Sequence, residues 1–260
     1  MTSPMIIQGL TAVLCGGFVS FSLGLVGGGG SILAVPLILY VVGLHNPHMA
    51  IGTAALAVAA NAYLNMIPHA RAGHVRWGPA FAFAASGVLG ATFGSSLGKL
   101  MNGQSLLLYF AILMCLVAVL MMRPRATPKL ATTGHEGRYP RLVGTGLGAG
   151  SLSGFFGIGG GFLVVPGLMF AARMQIVDAI GTSLFAVGSF GLTTAVNYAR
   201  SGQVDWLIAA EFIAGGVIGG WLGTNAAGRL SKRRGALNLV FSAMIFAVAA
   251  YMFYHIWQSR

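Results

Sequence analysis

The stretch Gly24-Leu-Val-Gly27-Gly28-Gly29-Gly30-Ser31-Ile-Leu-Ala-Val-Pro36 decides how this chain is read. It returns as Gly154-Phe-Phe-Gly157-Ile-Gly159-Gly160-Gly161-Phe162-Leu-Val-Val-Pro166. Pro36 and Pro166 set the offset at 130 positions, and Gly24, Gly27, Gly29, Gly30, Leu33 and Val35 recur at the same offset. A hydrophobic chain with a matched break in each half is the pattern of a transporter built from two repeats, with substrate held at the breaks.

Composition sets the class. The chain is 56% hydrophobic and 7% charged, against roughly 25% charged in ordinary soluble domains. Long apolar runs alternate with short basic loops, which describes a polytopic membrane protein. The net charge of +11 is what loop lysines and arginines give such a protein, so no nucleic-acid partner is expected. Segment 5–24 has no basic residue before it and reads as a retained first span rather than a signal peptide. Cys15 and Cys115 lie inside apolar segments and read as small buried hydrophobes.

Ten helical segments are expected, about 5–24, 29–44, 48–68, 77–98, 104–122, 141–156, 159–173, 177–199, 204–226 and 235–257. Residues 1–123 form a first membrane repeat, 124–140 a cytoplasmic linker, and 141–260 a second, inverted repeat. The fold class is thus an all-α polytopic bundle of two inverted five-helix repeats with glycine- and proline-broken helices. The duplication runs well past the glycines. Ala50-Ile-Gly-Thr53 matches Ala179-Ile-Gly-Thr182, and Arg71-Ala-Gly73-His-Val75-Arg-Trp77 matches Arg200-Ser-Gly202-Gln-Val204-Asp-Trp206. Five spans per half put 12 basic residues on one side and 3 on the other, whereas re-entrant second and seventh segments would give 9 against 6. The positive-inside rule therefore favours ten spans, with both termini outside and the central loop in the cytoplasm.

The candidate site follows from the breaks. Consecutive glycines cost about 1 kcal/mol each in a helix relative to alanine. Irregular backbone at membrane depth survives only when buried in protein or lining a cavity. Helices start after each cluster, and their first amides are orphan donors at the positive end of a dipole. Gly28, Gly29, Gly30 and Ser31, with Gly159, Gly160, Gly161 and Phe162, are the expected anion cradle. The alternative is that these glycines only permit tight helix crossing. Thr182, Ser189, Thr193 and Asn197 share a helical face, flanked by Ser183, and the matching helix offers Thr53, Asn61 and Asn65. These are either substrate ligands or interhelical hydrogen-bond partners. Apart from Asp178 and Asp205 at helix starts, Glu211 is the only acid inside a segment; it is either the proton-coupling candidate or a side chain that snorkels to the interface near Arg200. Asp178 and Asp205 read as helix caps, and Tyr198 and His69 as interfacial anchors. Glycine rows at 90-94-98, 146-150-154 and 215-219-223 read as packing seams, within the bundle or between protomers of a homo-oligomer. Neither paired carboxylates, an activated nucleophile, a phosphate loop nor a metal cluster is found, which argues against an enzyme and gives no cofactor.

These motifs resemble the sulfite exporter TauE/SafE family of membrane permeases. The resemblance rests on Gly27–Pro36, Gly157–Pro166, Ala179-Ile-Gly-Thr-Ser183-Leu and Ala199-Arg-Ser-Gly202-Gln-Val204-Asp205-Trp206. It implies transport of small sulfur-containing or organic anions such as sulfite, thiosulfate, sulfonates or sulfoacetate across the inner membrane. The first half departs from it where Thr53 is followed by Ala54 rather than serine. The expectation is a secondary transporter, one repeat rocking against the other, working as an exporter. An anion channel or a non-transporting membrane assembly is the alternative.

Overall fold

The computed structural model describes residues 3–122, 138–230, 246, 248–252 and 254. Among these residues the elements are helical throughout. We number them α1 (Ser3–Val26), α2 (28–41), α3 (Pro47–Arg71), α4 (Trp77–Leu100), α5 (Gly103–Met122), α6 (Arg138–Phe156), α7 (Gly161–Ala172), α8 (Ile176–Ala199) and α9 (Trp206–Leu230). The described residues of 246–254 are helical, but most of the expected tenth segment, 235–257, and the linker up to residue 137 lie outside the described residues. By length and apolar composition, α1, α3, α4, α8 and α9 are each able to cross a membrane.

Local chemistry places the helix starts. Asn46 caps α3 by accepting from the amides of His48 (3.0 Å) and Met49 (3.3 Å), and Pro47 follows at the first helical position. Asp205 caps α9 by accepting from Leu207 (3.1 Å) and Ile208 (3.0 Å). The expected break in the second segment takes a definite form. α2 is a 3-10 turn over Gly28–Leu33, an α turn over Ala34–Pro36 and a π turn over Leu37–Val41. Pro36 lacks an N–H, so no regular ladder runs through this point. α7 carries Pro166 within a continuous α-helix. Twelve residues of α7 reach about 18 Å, well short of a hydrocarbon core of about 30 Å. α7 is therefore a half-helix completed by a loop, and the expected break at the proline holds for the second segment but not the seventh, whose interruption lies at Gly157–Gly160 before the helix starts.

The helix directions establish the inversion. Gly9, Gly16, Gly17 and Gly24 of α1 face successive residues of α9 from Glu211 to Thr224, so these two helices run parallel. α3 is also parallel to α9, with Asn61 facing Gly216 and Asn65 facing Gly220. α4 and α6 run parallel, Gly87 facing Gly150 and Gly94 facing Phe155. Yet α3 and α8, equivalent helices of the two repeats, cross antiparallel: Gly188 meets Tyr63, while Gly191 meets Ala55 and Ala59. Equivalent helices pointing opposite ways are what an inverted repeat requires.

The packing shows which helices the glycine rows join. The most extensive contacts join α4 to α6 and α1 to α9, that is, the fourth helix of each repeat to the first helix of the other. The glycine rows are the reason, and they are intramolecular seams. A Cβ on Gly94 or Gly154 would run into the backbone of the facing helix, as it would on Gly219 or Gly223. The two sequence repeats thus interleave. The natural bodies are α1, α2, α3 and α9 against α4, α6, α7 and α8, meeting along α3/α8 and where α7 touches the Gly28–Leu33 turn.

Candidate functional site

The centre of the molecule is built on Gly159. Gly157 (φ 68°), Gly159 (φ 65°) and Gly160 (φ 65°) all sit in the left-handed region, where side-chain-bearing residues are strained. A Cβ on Gly159 would lie 3.0 Å from Val58 Cγ1 on α3 and 3.0 Å from Val187 Cγ1 on α8. These fully buried valines occupy equivalent repeat positions, each eleven residues into its helix. Gly159 therefore lies near the internal two-fold axis, at mid-membrane depth. Gly160 caps α7 without a side chain. Against it sits Ser153 of α6, whose Cβ and Oγ would be 2.6 and 3.0 Å from an added Cβ. Ser153 is 1% exposed and its hydroxyl has no hydrogen-bond partner. A half-helix N-terminus, its orphan amides at Gly161 and Phe162, thus opens beside an unused buried hydroxyl. The Gly28–Leu33 turn of the first half packs against α7, with Gly30 on Ser22 and the buried Ser31 within that turn.

Other predicted site residues hold the two halves together. Thr53 Oγ1 accepts from the amide of Asp205 (2.9 Å), and Thr182 Oγ1 accepts from the amide of Arg76 (3.0 Å). These bonds are repeat equivalents, each fixing the entry to the other half's fourth helix. Ser183 donates to the carbonyl of Ile180 (2.7 Å), and its Oγ would be 3.2 Å from a Cβ on Gly27. It buttresses the first glycine turn. Thr193 donates back to the Ser189 carbonyl (2.8 Å), and the Ser189 hydroxyl shares a bond with Tyr63 (3.1 Å). Asn197 donates to Ser95 (2.7 Å) and Ser96 (3.1 Å), while Lys99 Nζ donates to its Oδ1 (2.7 Å). It lies ten residues beyond Val187, about 15 Å along the helix, so the structure gathers it with the end of α4 and not with the glycine turns.

Asn61 and Asn65 stay close to the centre, one and two turns beyond Val58. Asn65 Nδ2 donates to Ser20 Oγ (2.9 Å) on α1. Asn61 is fully buried against Gly216, and neither of its side-chain polar atoms has a partner. Glu211 is half-buried in the α1/α9 seam, its carboxylate 2.6 Å from where a Gly9 Cβ would be. Asp178, expected to cap, instead pairs with Arg76 (2.8 Å) and His74 (3.5 Å) of the other half. Tyr198, expected at the interface, is fully buried, its Cβ 2.9 Å from where a Cβ on Gly52 would be. His69 packs equivalently on Gly181 (3.3 Å). Sequence reading missed Ser153, which hides in a glycine row. Tyr198 and His69 were findable, since the repeat register sets them opposite Gly52 and Gly181.

Inverted repeats, half-helices meeting at the midplane and an unpartnered polar centre define a multi-pass membrane protein of the transporter class. Comparison with known proteins agrees. A family model, sulfite exporter TauE/SafE, matches residues 12–252, and the chain belongs to that family. It is 55% identical over 259 residues to a "Probable membrane transporter protein" of Xylella fastidiosa (strain 9a5c), covering 98% of this chain and 99% of that one. It is 29% identical over 223 residues to the "Probable membrane transporter protein YunE" of Bacillus subtilis (strain 168), covering 76% of this chain and 81% of that one. No solved structure matches it.

Proposed function

We propose that this protein is a secondary transporter that exports a small anion, of the sulfite, thiosulfate, sulfonate or sulfoacetate kind, across the cytoplasmic membrane. The observation that carries the reading is the start of α7 at mid-membrane depth beside the unpartnered Ser153 hydroxyl. Amide donors and hydroxyls bind an anion without a buried cation. Asn61 adds both a donor and an acceptor one turn from Val58. Ser31 and the Gly28–Gly30 turn complete the cradle from the first half.

Val58 and Val187 fill the centre around Gly159, and an occluded centre suits alternating access better than an open pore. The moving bodies are the two composite bundles, hinged along α3/α8, because separating the sequence repeats would break the α1/α9 and α4/α6 seams. With both termini outside and the central loop in the cytoplasm, an inside-negative potential drives a monovalent anion outward by about 2.3 kcal/mol per 100 mV. Export then needs no coupled cation. Import would need one, and Glu211 is then a candidate proton carrier. The test is efflux of labelled sulfite, thiosulfate, sulfoacetate and an alkyl sulfonate from proteoliposomes, with and without an imposed potential. Saturable efflux of one anion, faster with the loaded side negative, is expected. Non-saturating flux without counter-exchange would mean a channel, and no flux from correctly inserted protein would overturn the transport reading.

A further inference from the structure

α3 presents Asn61, Asn65 and His69 at four-residue spacing, so the three lie along one side of the helix from mid-depth to its end. Each is poorly satisfied or tied to a polar neighbour. Asn61 lacks partners for both polar atoms, Asn65 bonds Ser20, and the buried Nε2 of His69 has no partner. The equivalent positions of α8 are Phe190, Thr194 and Tyr198, all buried. Phe190 stacks on Phe83 at 6.1 Å, and Thr194 donates back to the Phe190 carbonyl (2.9 Å). The contrast is sharpest at the first position, where one half offers an amide without partners and the other a stacked ring, while Thr194 and the unpartnered Tyr198 hydroxyl keep some polarity further along α8. An orphaned amide in a membrane core is costly, so Asn61, continued by Asn65 and His69, calls for a polar occupant.

We propose that the Asn61–Asn65–His69 face of α3 is the anion's path between the central site and the membrane face where α3 ends, with protonated His69 admitting the anion. This rests on the transport reading above. Arg71 at the end of α3, with His74 and Arg76 in the loop that follows, leaves this mouth net positive after Asp178 is counted, which concentrates anions there. The titratable and charged groups around His69 are His74 in that loop, then Asp178 on α8 and Arg76, which pair with one another beyond it. α1 contributes only the Gly24 backbone there. Protonation places a cation at the His69 end of the ladder, so anion entry quickens as pH falls. On α8 the position of His69 is taken by Tyr198, which brings no cation to that end.

Cysteine accessibility tests this without knowing the substrate. In a Cys15→Ala, Cys115→Ala background in liposomes, Asn65→Cys and Thr194→Cys are treated from each face with membrane-impermeant anionic or cationic methanethiosulfonates. The ratio of anionic to cationic rates cancels the thiolate fraction. Asn65→Cys should react from the Arg71/Arg76 face, with a ratio that rises about threefold or more as pH is lowered. His69→Gln should flatten that ratio, and Thr194→Cys should stay unreactive from the opposite face. Asn61→Cys serves where Asn65→Cys inserts poorly. Unreactive cysteines at 61 and 65, or an unchanged pH profile in His69→Gln, would overturn the path even if anion flux is present. Reactivity with the stated pH profile but no flux would sustain the path and refute the transport reading.

Discussion

The two halves of this protein share a backbone plan and differ in what fills it. At equivalent points, α3 carries Asn61 against Gly216, and α8 carries Phe190 against Gly87. Both glycines make room for a large neighbour, but one neighbour is an amide without partners and the other stacks on Phe83. The glycine turns differ likewise. The second half strings three left-handed glycines into a regular α-helix, whereas the first enters its half-helix through a 3-10 turn. Inverted duplication fixes where a site must lie, and side-chain divergence decides which half does the binding.

The largest effect should come from filling the second turn. Gly160→Leu adds a side chain at left-handed φ, on top of Ser153, and should abolish anion flux while membrane-inserted yield stays near wild type. The corresponding change on the first side, Gly30→Leu, should also cost flux, and a much milder loss there would sharpen the case for an unequal pair. Next comes a swap of identities. Asn61→Leu removes two buried polar atoms that lack partners, so the protein in detergent should gain about 1–3 kcal/mol of stability while flux collapses. A variant that is stabilised and still transports would mean that Asn61 has no part in the path.

Much of this architecture was legible in the sequence. The repeat, the broken second and seventh segments and the helix boundaries of α3, α4, α8 and α9 all follow from glycine, proline and apolar run lengths. The partners of the polar residues were not legible. Thr53 and Thr182 were expected either as ligands or as interhelical hydrogen-bond partners, and their hydroxyls receive backbone amides from the other half, 152 and 106 residues away. Such pairings depend on how the repeats interleave, which no local pattern encodes. Tyr198 and His69 sit near helix ends, where tyrosine and histidine ordinarily meet the interface, and only the close approach at Gly52 and Gly181 draws them inward.

A smaller effect is expected across the halves at the surface. Asp178→Asn removes the ion pair with Arg76, whose side chain is 60% exposed. The loss should be about 0.5 kcal/mol or less and should vanish in high salt. A loss well beyond that would make this pair a latch between the composite bundles rather than a surface contact.

The most direct test of a central anion site at the α7 start is the KM for the transported anion in wild type and Ser153→Ala. One hydrogen bond to a charged ligand is worth about 1.5 kcal/mol or more, so KM should rise about tenfold with thermal stability unchanged or improved. An unchanged KM with unchanged maximal flux would contradict an anion bound between Ser153 and the first amides of α7.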